Sequence, residues 1–501
     1  MNLAEVVRGC DVIETRGDAK VEIENVAGDS RRAGPGSLFV AIPGFEKDGA
    51  EFIGHAIERG AAAVATERSI EAFSGATALR VRDARAVLAI AASNLFGRPS
   101  ERISLIGVTG TSGKTTTTRM IESILDATGE PVGLIGTIEY RAGTIREIAD
   151  RTTPDAVLLQ EWFQKMVEEN VPRGVMEVSS HALALKRTLG VEFRVAVFTN
   201  LSRDHFDFHS DFEDYFQAKK LLFDQIDRSL TSAVVNVDDE YGRRLANELG
   251  DTAIGFGRGP GSAIHPIEGF EISLDGLHGE LQTPSGRVRI DSPLVGLPNL
   301  DNWMGAIGAA QLAGIDNEVI ENGVRNLHGV RGRFEHVSLS DRFDVFVDYA
   351  HKPDALEKLL CAVRDLVGKR RLVVVFGCGG GRDRGKRPVM GEIAGRLADF
   401  TIITSDNPRG EDPALIVAEI EAGIVGVEGA EFTSIVDRRQ AIRTAIRSAS
   451  EGDVILVAGK GHETYQIVGD RIIHFDDREE IENALDRVGQ NTWTKLYGFT
   501  T

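Results

Sequence analysis

Short apolar runs alternate with stretches of helical spacing along most of the chain. Runs with the composition of buried strands occur at residues 38–42, 103–108, 195–198, 233–237, 345–347, 372–376, 402–404 and 454–457. Helical spacing is clear at Met120, Ile121, Ile124 and Leu125, and Gly129 follows as a predicted helix end. Alternation of this kind predicts parallel sheets covered by helices, which is an α/β fold.

Two breaks in the pattern predict domain boundaries. Residues 97–100, Gly-Arg-Pro-Ser, interrupt a helical stretch, and the basic, glycine-containing residues 329–333 precede a new series of strands and helices. The predicted domains are 1–100, 101–332 and 333–501, each of a size typical of one domain. Residues 490–501 lack periodicity, and we expect a loose tail there.

The composition of the 501 residues, 42% hydrophobic and 27% charged, is that of a soluble globular protein. A formal net charge of −19 argues against a general nucleic-acid binder, which needs a basic face, but leaves room for a small anion in a locally basic pocket. Cys10, Cys361 and Cys378 lie far apart, so neither a disulfide scaffold nor a cysteine metal site is expected. With no signal-peptide core and no apolar run of ~18 residues, we expect a cytoplasmic protein without membrane insertion.

A glycine-rich stretch lies between the predicted strand at 103–108 and the helix that follows. Its residues are Gly110, Thr111, Ser112, Gly113, Lys114, Thr115 and Thr116. Small residues let backbone N–H groups converge on phosphate, Lys114 adds charge, and the Thr115 hydroxyl can reach Mg²⁺. Val108 replaces the first glycine of the longer phosphate-loop pattern, and the alternative is an ordinary glycine-rich turn. The context of strand and helix favours nucleotide binding.

Polar residues also follow two other predicted strands. Glu177 and His205 are placed where α/β sheets bind ligands, so both could face the phosphates and coordinate Mg²⁺. The alternative is that they are polar residues of surface loops. Lys219 and Lys220 lie on an amphipathic segment, where lysines by themselves indicate a solvated helix face.

Several of these motifs together resemble the Mur ligases of bacterial cell-wall synthesis. Residues 110–115 resemble the shortened phosphate loop of that family, and further resemblances lie at 176–181, 200–205 and 406–409. The resemblance extends from 29–31 to 459–463 and is closest to the family member that adds the third residue of the stem peptide.

The resemblance implies three domains. They are a smaller N-terminal α/β domain for the UDP end of the substrate, a central P-loop-type ATPase with a parallel sheet, and a C-terminal Rossmann-like domain that binds the incoming amino acid. It also implies a monomer.

The implied reaction begins when ATP phosphorylates the D-Glu carboxylate of UDP-N-acetylmuramoyl-L-alanyl-D-glutamate. The amine of the incoming amino acid then attacks the acyl phosphate, giving the amide, ADP and phosphate. Lys114 and Mg²⁺ would offset the anionic charge. By resemblance Glu177 and His205 bind one Mg²⁺, Thr115 helps to hold another, and Lys219 is carbamylated, which converts a cation into a metal-orienting anion. Lys220 keeps its solvated role.

The resemblance assigns further binding residues. For ATP they are Asn302, which would read adenine, and Arg333, Asp348 and His351; helix capping is the alternative for Asn302. For the UDP-linked acceptor they are Ser30, Thr152, Thr153, Ser179 and Arg187. Arg151 and Leu185 depart from the pattern of some relatives, where Asn and Gln stand.

The incoming amino acid is expected to be meso-diaminopimelate. It differs from L-lysine by a distal carboxylate, for which the planar guanidinium of Arg409 is a suitable partner. The implied pocket contains Arg382, Asp406, Asn407, Pro408, Arg409, Gly459 and Glu463. The alternative for Arg409 is a surface salt bridge with Glu411 or Asp412.

Other functions remain open at this point. One is a ligase of the same superfamily that adds L-lysine or acts at a neighbouring step; the motif at 406–409 argues against a folylpolyglutamate synthetase. A protein of another class would be a nucleotide-gated binding protein without ligase chemistry, which has no evident need for Lys219 or for an amino-acid pocket.

Overall fold

The computed structural model describes residues 1–44, 47–70, 75–337 and 342–486, and the predicted tail at 490–501 lies outside these ranges. The chain forms two compact units. The first comprises Met1–Gly269, Gly279–Ile290 and Leu300–Asn326, and the second Phe270–His278, Asp291–Asn299 and Leu327–Thr501. The division into three domains at 1–100, 101–332 and 333–501 stays a prediction.

The first unit begins with a five-stranded sheet in the order β1-β5-β4-β3-β2. Its strands are β1 Val12–Arg16, β2 Asn25–Ala27, β3 Ser37–Ala41, β4 Ala63–Thr66 and β5 Thr77–Val81, and its helices are α1 Leu3–Val6, α2 Ile53–Glu58 and α3 Ala84–Leu95. Only β1 runs antiparallel to its neighbour. The side chains of β3 are buried along its whole length, as expected for a central parallel strand.

An eight-stranded sheet in the order β13-β12-β11-β6-β10-β7-β8-β9 follows in the same unit. Its strands are β6 Ser104–Thr109, β7 Val132–Ile135, β8 Glu139–Ala142, β9 Ile145–Ile148, β10 Arg173–Glu177, β11 Val195–Phe198, β12 Ala233–Asn236 and β13 Ala253–Phe256. The helices of this region are α4 Lys114–Asp126, α5 Ala156–Glu168, α6 Ser180–Ala184, α7 Phe212–Lys220 and α8 Glu240–Leu249. Strands β6, β7, β10, β11, β12 and β13 are mutually parallel, so their carboxyl ends lie at one edge of the sheet.

Short antiparallel strands and two helices follow. They are β14 His265–Pro266, β15 Glu271–Ser273, β16 Gly276–Thr283, β17 Gly286–Ser292, α9 Leu297–Leu312 and α10 Asn317–Asn326. Within the first unit α10 packs on α4: the backbone of Ile124 leaves no room for a side chain at Gly323, and Ser123 Oγ donates to Gly323 O at 2.7 Å. This close approach anchors the helix that begins at Lys114.

The second unit contains a six-stranded sheet in the order β18-β19-β23-β20-β21-β22. Its strands are β18 Glu335–His336, β19 Asp344–Asp348, β20 Leu372–Cys378, β21 Phe400–Ser405, β22 Phe432–Ser434 and β23 Val454–Ala458, and a hairpin adds β24 Tyr465–Val468 and β25 Arg471–His474. Its helices are α11 Pro353–Val367, α12 Lys386–Leu397, α13 Pro413–Ile424 and α14 Arg438–Ser448. All strands except β18 are parallel in this sheet, and the side chains of β20 and β23 are buried throughout.

These sheets and helices confirm the predicted α/β fold. The helix after the glycine-rich stretch begins at Lys114 and ends at Asp126. Its C-cap is Ala127, whereas the sequence predicted a helix end at Gly129. In the described residues, every helix is too short or too polar to span a lipid bilayer. Cys10, Cys361 and Cys378 are free thiols.

Candidate active site

The loop between β6 and α4 requires glycine at two positions. Gly110 has φ of +152° and Gly113 has φ of +85°. A Cβ atom at Gly110 would collide with Thr199 Oγ1, and one at Gly113 would collide with Asn302 Oδ1. Both positions therefore need the conformational freedom and the small volume of glycine, as in a loop that brings backbone N–H groups close to phosphate.

Residues at the end of β11 hold this loop in place. Asn200 accepts from Ser112 N at 3.0 Å and donates to Ser112 O at 3.1 Å, while Thr199 Oγ1 donates to the same carbonyl at 2.7 Å. Thr111 N donates to Asn200 O at 2.9 Å. Thr199 and Asn200 are not among the site residues predicted from the sequence, although both directly follow a predicted strand.

Two lysines donate to one carbonyl oxygen of the loop. Lys114 Nζ lies 2.9 Å from Gly110 O, and Lys219 Nζ lies 2.7 Å from the same atom. The side chain of Lys219 is buried, and its ammonium lies 4.3 Å from the ring centroid of Tyr215. Burial, and then the charge of Lys114, lower the pKa of Lys219 well below its ordinary value. Lys219 is therefore not a residue of a solvated helix face.

The carboxylate of Glu177 lies among threonine hydroxyls at the end of β10. Thr115 Oγ1 donates to Glu177 Oε2 at 2.9 Å, and Thr137 donates through its backbone N–H to Oε1 at 2.7 Å and through its hydroxyl to Oε2 at 3.0 Å. The hydroxyl of Thr152 lies 3.0 Å from that of Thr137. Glu177 is only 1% exposed, so it is not a polar residue of a surface loop.

The oxygen atoms of this cluster suit a hard cation. Among residues 1–44, 47–70, 75–337 and 342–486, no group of three or more His, Cys, Asp and Glu side chains could hold a metal ion. The predicted set contains only two such residues, Glu177 and His205, and its other members are the Thr115 hydroxyl and the carbamate of Lys219. Carboxylate and hydroxyl oxygens are ligands that Mg²⁺ accepts, so the residues present fit this ion.

His205 follows β11 in a left-handed conformation, with φ of +56°. Its ring centroid lies 4.8 Å from that of His181 and 6.2 Å from that of Tyr215, whose hydroxyl accepts from Thr111 Oγ1 at 3.2 Å. His205 thus belongs to the same group of side chains as Tyr215, which also contacts Lys219. Tyr215 was not predicted from the sequence as a site residue, although its position one helical turn before Lys219 could have indicated that role.

Asn302 on α9 lies against the phosphate loop. Its Oδ1 atom accepts from Thr117 Oγ1 at 3.1 Å on α4 and occupies the space beside Gly113. This contact explains the buried position of Asn302. The proposed contact between Asn302 and the adenine base stays a prediction.

The predicted acceptor residues fall into two places in the first unit. Thr153 Oγ1 donates to Glu177 O at 2.8 Å and accepts from Ser179 N at 3.1 Å, and Arg187 Nη1 donates to Thr153 O at 3.0 Å. These residues therefore adjoin the Glu177 cluster. Ser30 is placed elsewhere in the unit, where its Oγ lies 3.1 Å from Nδ1 of His55.

In the second unit, the predicted ATP residues Arg333, Asp348 and His351 adjoin Tyr349. Asp348 accepts from Phe334 N at 2.8 Å and from Ala350 N at 2.7 Å, and its burial raises its pKa. The guanidinium of Arg333 lies 4.9 Å from the ring centroid of Tyr349. Burial lowers the pKa of the neighbouring His351, whose Nδ1 lies 2.9 Å from Tyr349 O.

A fully buried lysine links the residues of the predicted amino-acid pocket. Lys460 Nζ lies 3.3 Å from Asp406 Oδ1, 3.2 Å from Asn407 Oδ1 and 3.3 Å from Glu463 Oε2. Asn407 Nδ2 donates to Glu463 Oε2 at 2.9 Å, and Ile467 N donates to Asn407 Oδ1 at 2.9 Å. The structure thus brings Asp406, Asn407 and Glu463 together around Lys460, for which no role was predicted from the sequence.

Arg409 lies on the turn after β21, with φ of +52°. Its Nη1 donates to Gly380 O at 2.8 Å, and its backbone N–H donates to Ile467 O at 2.9 Å. Glu411 pairs with Arg387 instead, with Nη1 and Oε2 3.0 Å apart, so the alternative of a salt bridge between Arg409 and Glu411 is wrong.

Of the other predicted pocket residues, Pro408 is buried, Arg382 is exposed, and a Cβ at Gly459 would lie 3.6 Å from Asp406 Oδ2.

The parallel sheets, the glycine-dependent phosphate loop and the two lysines at one of its carbonyl oxygens, of which Lys219 is buried, define an α/β protein of the phosphate-loop class. Three family models match the chain: the "Mur ligase family, catalytic domain" at residues 22–95, the "Mur ligase middle domain" at 108–310 and the "Mur ligase, glutamate ligase domain" at 332–461.

Curated relatives match nearly the whole length. A protein of Gloeobacter violaceus is 47% identical over 478 residues, 95% of this chain and 96% of its own, and one of Syntrophomonas wolfei is 44% identical over 486 residues, 97% of this chain and 99% of its own. Both are named UDP-N-acetylmuramoyl-L-alanyl-D-glutamate–2,6-diaminopimelate ligase. A solved structure with the same name aligns with a TM-score of 0.70 at 31% identity, covering 98% of this chain and 99% of its own. The chain belongs to the Mur ligase family.

Proposed function

We propose that the protein is the ATP-dependent, ADP-forming ligase that adds meso-2,6-diaminopimelate to UDP-N-acetylmuramoyl-L-alanyl-D-glutamate in peptidoglycan precursor synthesis. The observation that carries the proposal is the 44% to 47% identity, over 95% or more of the chain, to relatives named for this reaction. The reaction joins a carboxylate to an amine. Because a carboxylate is a poor electrophile, ATP first converts it to an acyl phosphate, and the amine then displaces phosphate.

The loop from Gly110 to Thr116 would hold the nucleotide phosphates. Its two glycines of positive φ and the start of α4 at Lys114 support this role, since backbone N–H groups at a helix N-terminus favour anions. Lys114 now donates to carbonyls of its own loop at 2.9 and 3.0 Å, and it would turn to the phosphates when they bind. Asn302, Arg333, Asp348 and His351 complete the proposed ATP contacts.

Glu177 and His205 would hold one Mg²⁺, Thr115 would help to hold another, and the carbamate of Lys219 would orient a metal. These ions, when bound, would offset the charge of the phosphates during transfer. The contact of 2.9 Å between Thr115 and Glu177 supports neighbouring positions for the two ions. Both hydrogen bonds from Thr137 fix the direction of the Glu177 carboxylate, so Thr137 is a further positioning residue of this site.

Carbamylation of Lys219 requires a neutral amine, because only the amine with a free lone pair attacks CO₂. A new N–C bond forms, the electron pair of one C=O π bond moves to oxygen, and the nitrogen releases a proton to solvent to give the carbamate anion. Burial and the neighbouring Lys114 favour the neutral amine, which supports this chemistry at Lys219.

The acceptor would be bound by Ser30, Thr152, Thr153, Ser179 and Arg187. Thr152, Thr153 and Arg187 adjoin the Glu177 cluster, which would place the D-Glu carboxylate near the phosphates. The hydrogen bond from Arg187 to Thr153 O leaves other N–H groups of the guanidinium available to a carboxylate.

The incoming amino acid would be bound in the second unit by Arg382, Asp406, Asn407, Pro408, Arg409, Gly459 and Glu463. Asn407 and Glu463, joined at 2.9 Å, offer an amide and a carboxylate to an amino-acid head group. Arg409 would pair with the distal carboxylate that distinguishes diaminopimelate from lysine. Its orientation by backbone carbonyls, rather than by an acidic side chain, supports this role.

The test is phosphate release in the presence of ATP, Mg²⁺ and UDP-N-acetylmuramoyl-L-alanyl-D-glutamate. Release with meso-diaminopimelate but not with L-lysine is the expected result. Release with L-lysine but not with meso-diaminopimelate would support a ligase activity and contradict the assignment of diaminopimelate as the incoming amino acid. ATP hydrolysis that needs neither acceptor nor amino acid would favour the nucleotide-gated binding protein instead. Monomeric state and cytoplasmic location stay predictions, which a sedimentation measurement and cell fractionation would check.

A further inference from the structure

Arg387 on α12 is a fully buried arginine that the proposed reaction does not use. Its Nη1 lies 3.0 Å from Glu411 Oε2 and 2.7 Å from Glu419 Oε2, while Nη2 lies 3.0 Å from Glu411 Oε1 and donates to Gly379 O at 3.2 Å. Glu411 is two residues beyond Arg409. Arg387 therefore joins the loop after β20 to the turn after β21.

The loop at residues 379–381 consists of three glycines, which by themselves have little conformational preference. Each peptide plane beside Gly380 is nevertheless held at both ends. In the first plane, Gly379 O accepts from Arg387 and Gly380 N donates to Asn407 O at 2.9 Å. In the second, Gly381 N donates to Glu411 Oε1 at 2.5 Å and Gly380 O accepts from Arg409 Nη1 at 2.8 Å.

Through the second peptide plane, the position of Glu411 affects the orientation of the Arg409 guanidinium. Because the peptide group is planar and trans, its N–H and C=O bonds point in opposite directions. The hydrogen bond from Gly381 N to Glu411 thus determines where the Gly380 carbonyl points, and that carbonyl receives the guanidinium of Arg409. Close packing adds to this, because a Cβ atom at Gly380 would collide with Pro408 O.

We infer that Arg387 and Glu411 are positioning residues that orient Arg409 through the Gly380–Gly381 peptide, and that they thereby determine the preference for an amino acid with a distal carboxylate. The inference rests on the proposed function, in which Arg409 binds that carboxylate. It adds two residues that touch neither substrate nor nucleotide, and it predicts that their loss affects one substrate selectively.

The experiment compares Glu411→Gln with wild type in the full-length protein. The carboxylate accepts from Gly381 N and Arg387 Nη2 at Oε1 and from Arg387 Nη1 at Oε2. An amide has one acceptor oxygen, so its NH₂ group must face a donor of Arg387 or of Gly381, and the contacts that hold the Gly380–Gly381 peptide are disturbed. We expect the KM for meso-diaminopimelate to rise roughly tenfold and the diaminopimelate-to-lysine ratio of kcat/KM to fall by a similar factor. The KM for ATP and the kcat/KM for L-lysine are expected to stay within about twofold.

Glu357→Gln is the matched control. Glu357 on α11 pairs with Arg396 on α12 at 2.8 Å, so the same substitution removes an ion pair to the same helix without touching the glycine loop. The control is expected to keep the wild-type ratio. A merely structural role for Glu411 would change the melting temperature or kcat for both amino acids while leaving the ratio unaltered.

Two failures are distinguishable. If the wild-type protein does not use diaminopimelate, the proposed function is wrong. If the wild-type protein prefers diaminopimelate and the Glu411→Gln variant shows the same preference, this inference is wrong. If Glu411→Gln does not fold, Glu411→Asp replaces it in the experiment. This variant keeps the charge, but its side chain is one methylene too short to reach both Arg387 and Gly381 N. An unchanged ratio in Glu411→Asp also overturns the inference.

Discussion

Lys114 and Lys219 donate to the same carbonyl oxygen, that of Gly110, at 2.9 and 2.7 Å. One lysine begins α4, and the other lies near the end of α7, so the contact joins segments that are far apart in the sequence. Two neighbouring ammonium groups repel each other, and the buried one is the more easily deprotonated. Burial first, and then the charge of Lys114 at the phosphate loop, therefore lower the pKa of Lys219.

Lys219→Ala is expected to lower turnover by about a hundredfold or more, because the proposed carbamate would no longer orient the metal. Phosphate release with all three substrates measures this. Short carboxylic acids in the assay are expected to restore part of the activity in the variant only. Lys220→Ala is the control, because Lys220 pairs with Glu248 at 2.5 Å on a partly exposed surface. Equal losses in the two variants would remove the special role of Lys219.

Thr137→Val removes the hydroxyl that contacts Glu177 and Thr152 while keeping the shape of the side chain. We expect a loss of about 1 kcal/mol in the free energy of unfolding and a higher Mg²⁺ concentration for half-maximal activity. Chemical denaturation and Mg²⁺ titration after treatment with EDTA measure the two effects. Thr144→Val, which removes a hydrogen bond of 3.2 Å to Glu169 on the surface, is expected to leave the Mg²⁺ requirement unchanged. The proposed metal role of this cluster is refuted by identical Mg²⁺ titrations of Thr137→Val and wild type.

Gly110→Ala is expected to prevent nucleotide binding, since the added methyl group collides with Thr199 Oγ1 and the backbone has positive φ. Overpacking of this kind typically costs about 1–3 kcal/mol of stability. Calorimetric titration with ADP and thermal unfolding measure binding and stability. Gly54→Ala is the control, because a Cβ atom at Gly54 on α2 meets open space. Normal ADP affinity in Gly110→Ala would contradict the assignment of the loop.

Arg409→Ala is expected to raise the KM for meso-diaminopimelate by roughly 10- to 100-fold, the range of a charge-assisted bidentate pair. The KM for ATP is expected to change little, because Arg409 is not among the proposed nucleotide contacts. Steady-state kinetics with each substrate varied in turn provide the measurement. Arg471→Ala, an exposed arginine on the hairpin strand β25, is the control. Equal changes in both KM values would mean that Arg409 has only a structural role.

The α/β fold was predictable because apolar runs and helical spacing are local features of the chain. The phosphate loop was predictable for the same reason, since strand, glycines and Lys114 are contiguous. The proposed metal role of Lys219 and the proposed amino-acid role of Arg409 required the family resemblance, because a lysine or an arginine on a helix or turn has by itself many possible partners.

Other residues could not be predicted from the sequence. Thr137 directs Glu177 only because β7 and β10 are adjacent in the sheet. Arg387 orients the loop after β20 only because it faces Glu411 from α12. These partners depend on strand order and helix packing rather than on spacing along the chain.

The sequence by itself determined the α/β fold, the nucleotide loop and the membership of the Mur ligase family, because periodicity and contiguous motifs are properties of neighbouring residues. Only the tertiary structure decided that Lys219 shares a carbonyl with Lys114, that Glu177 is buried among threonine hydroxyls, and that Glu411 pairs with Arg387 rather than with Arg409. The physical reason is that burial and hydrogen-bond partners arise from contacts between segments distant in the chain, and these contacts determine which polar group is charged, which is oriented, and which is available to a substrate.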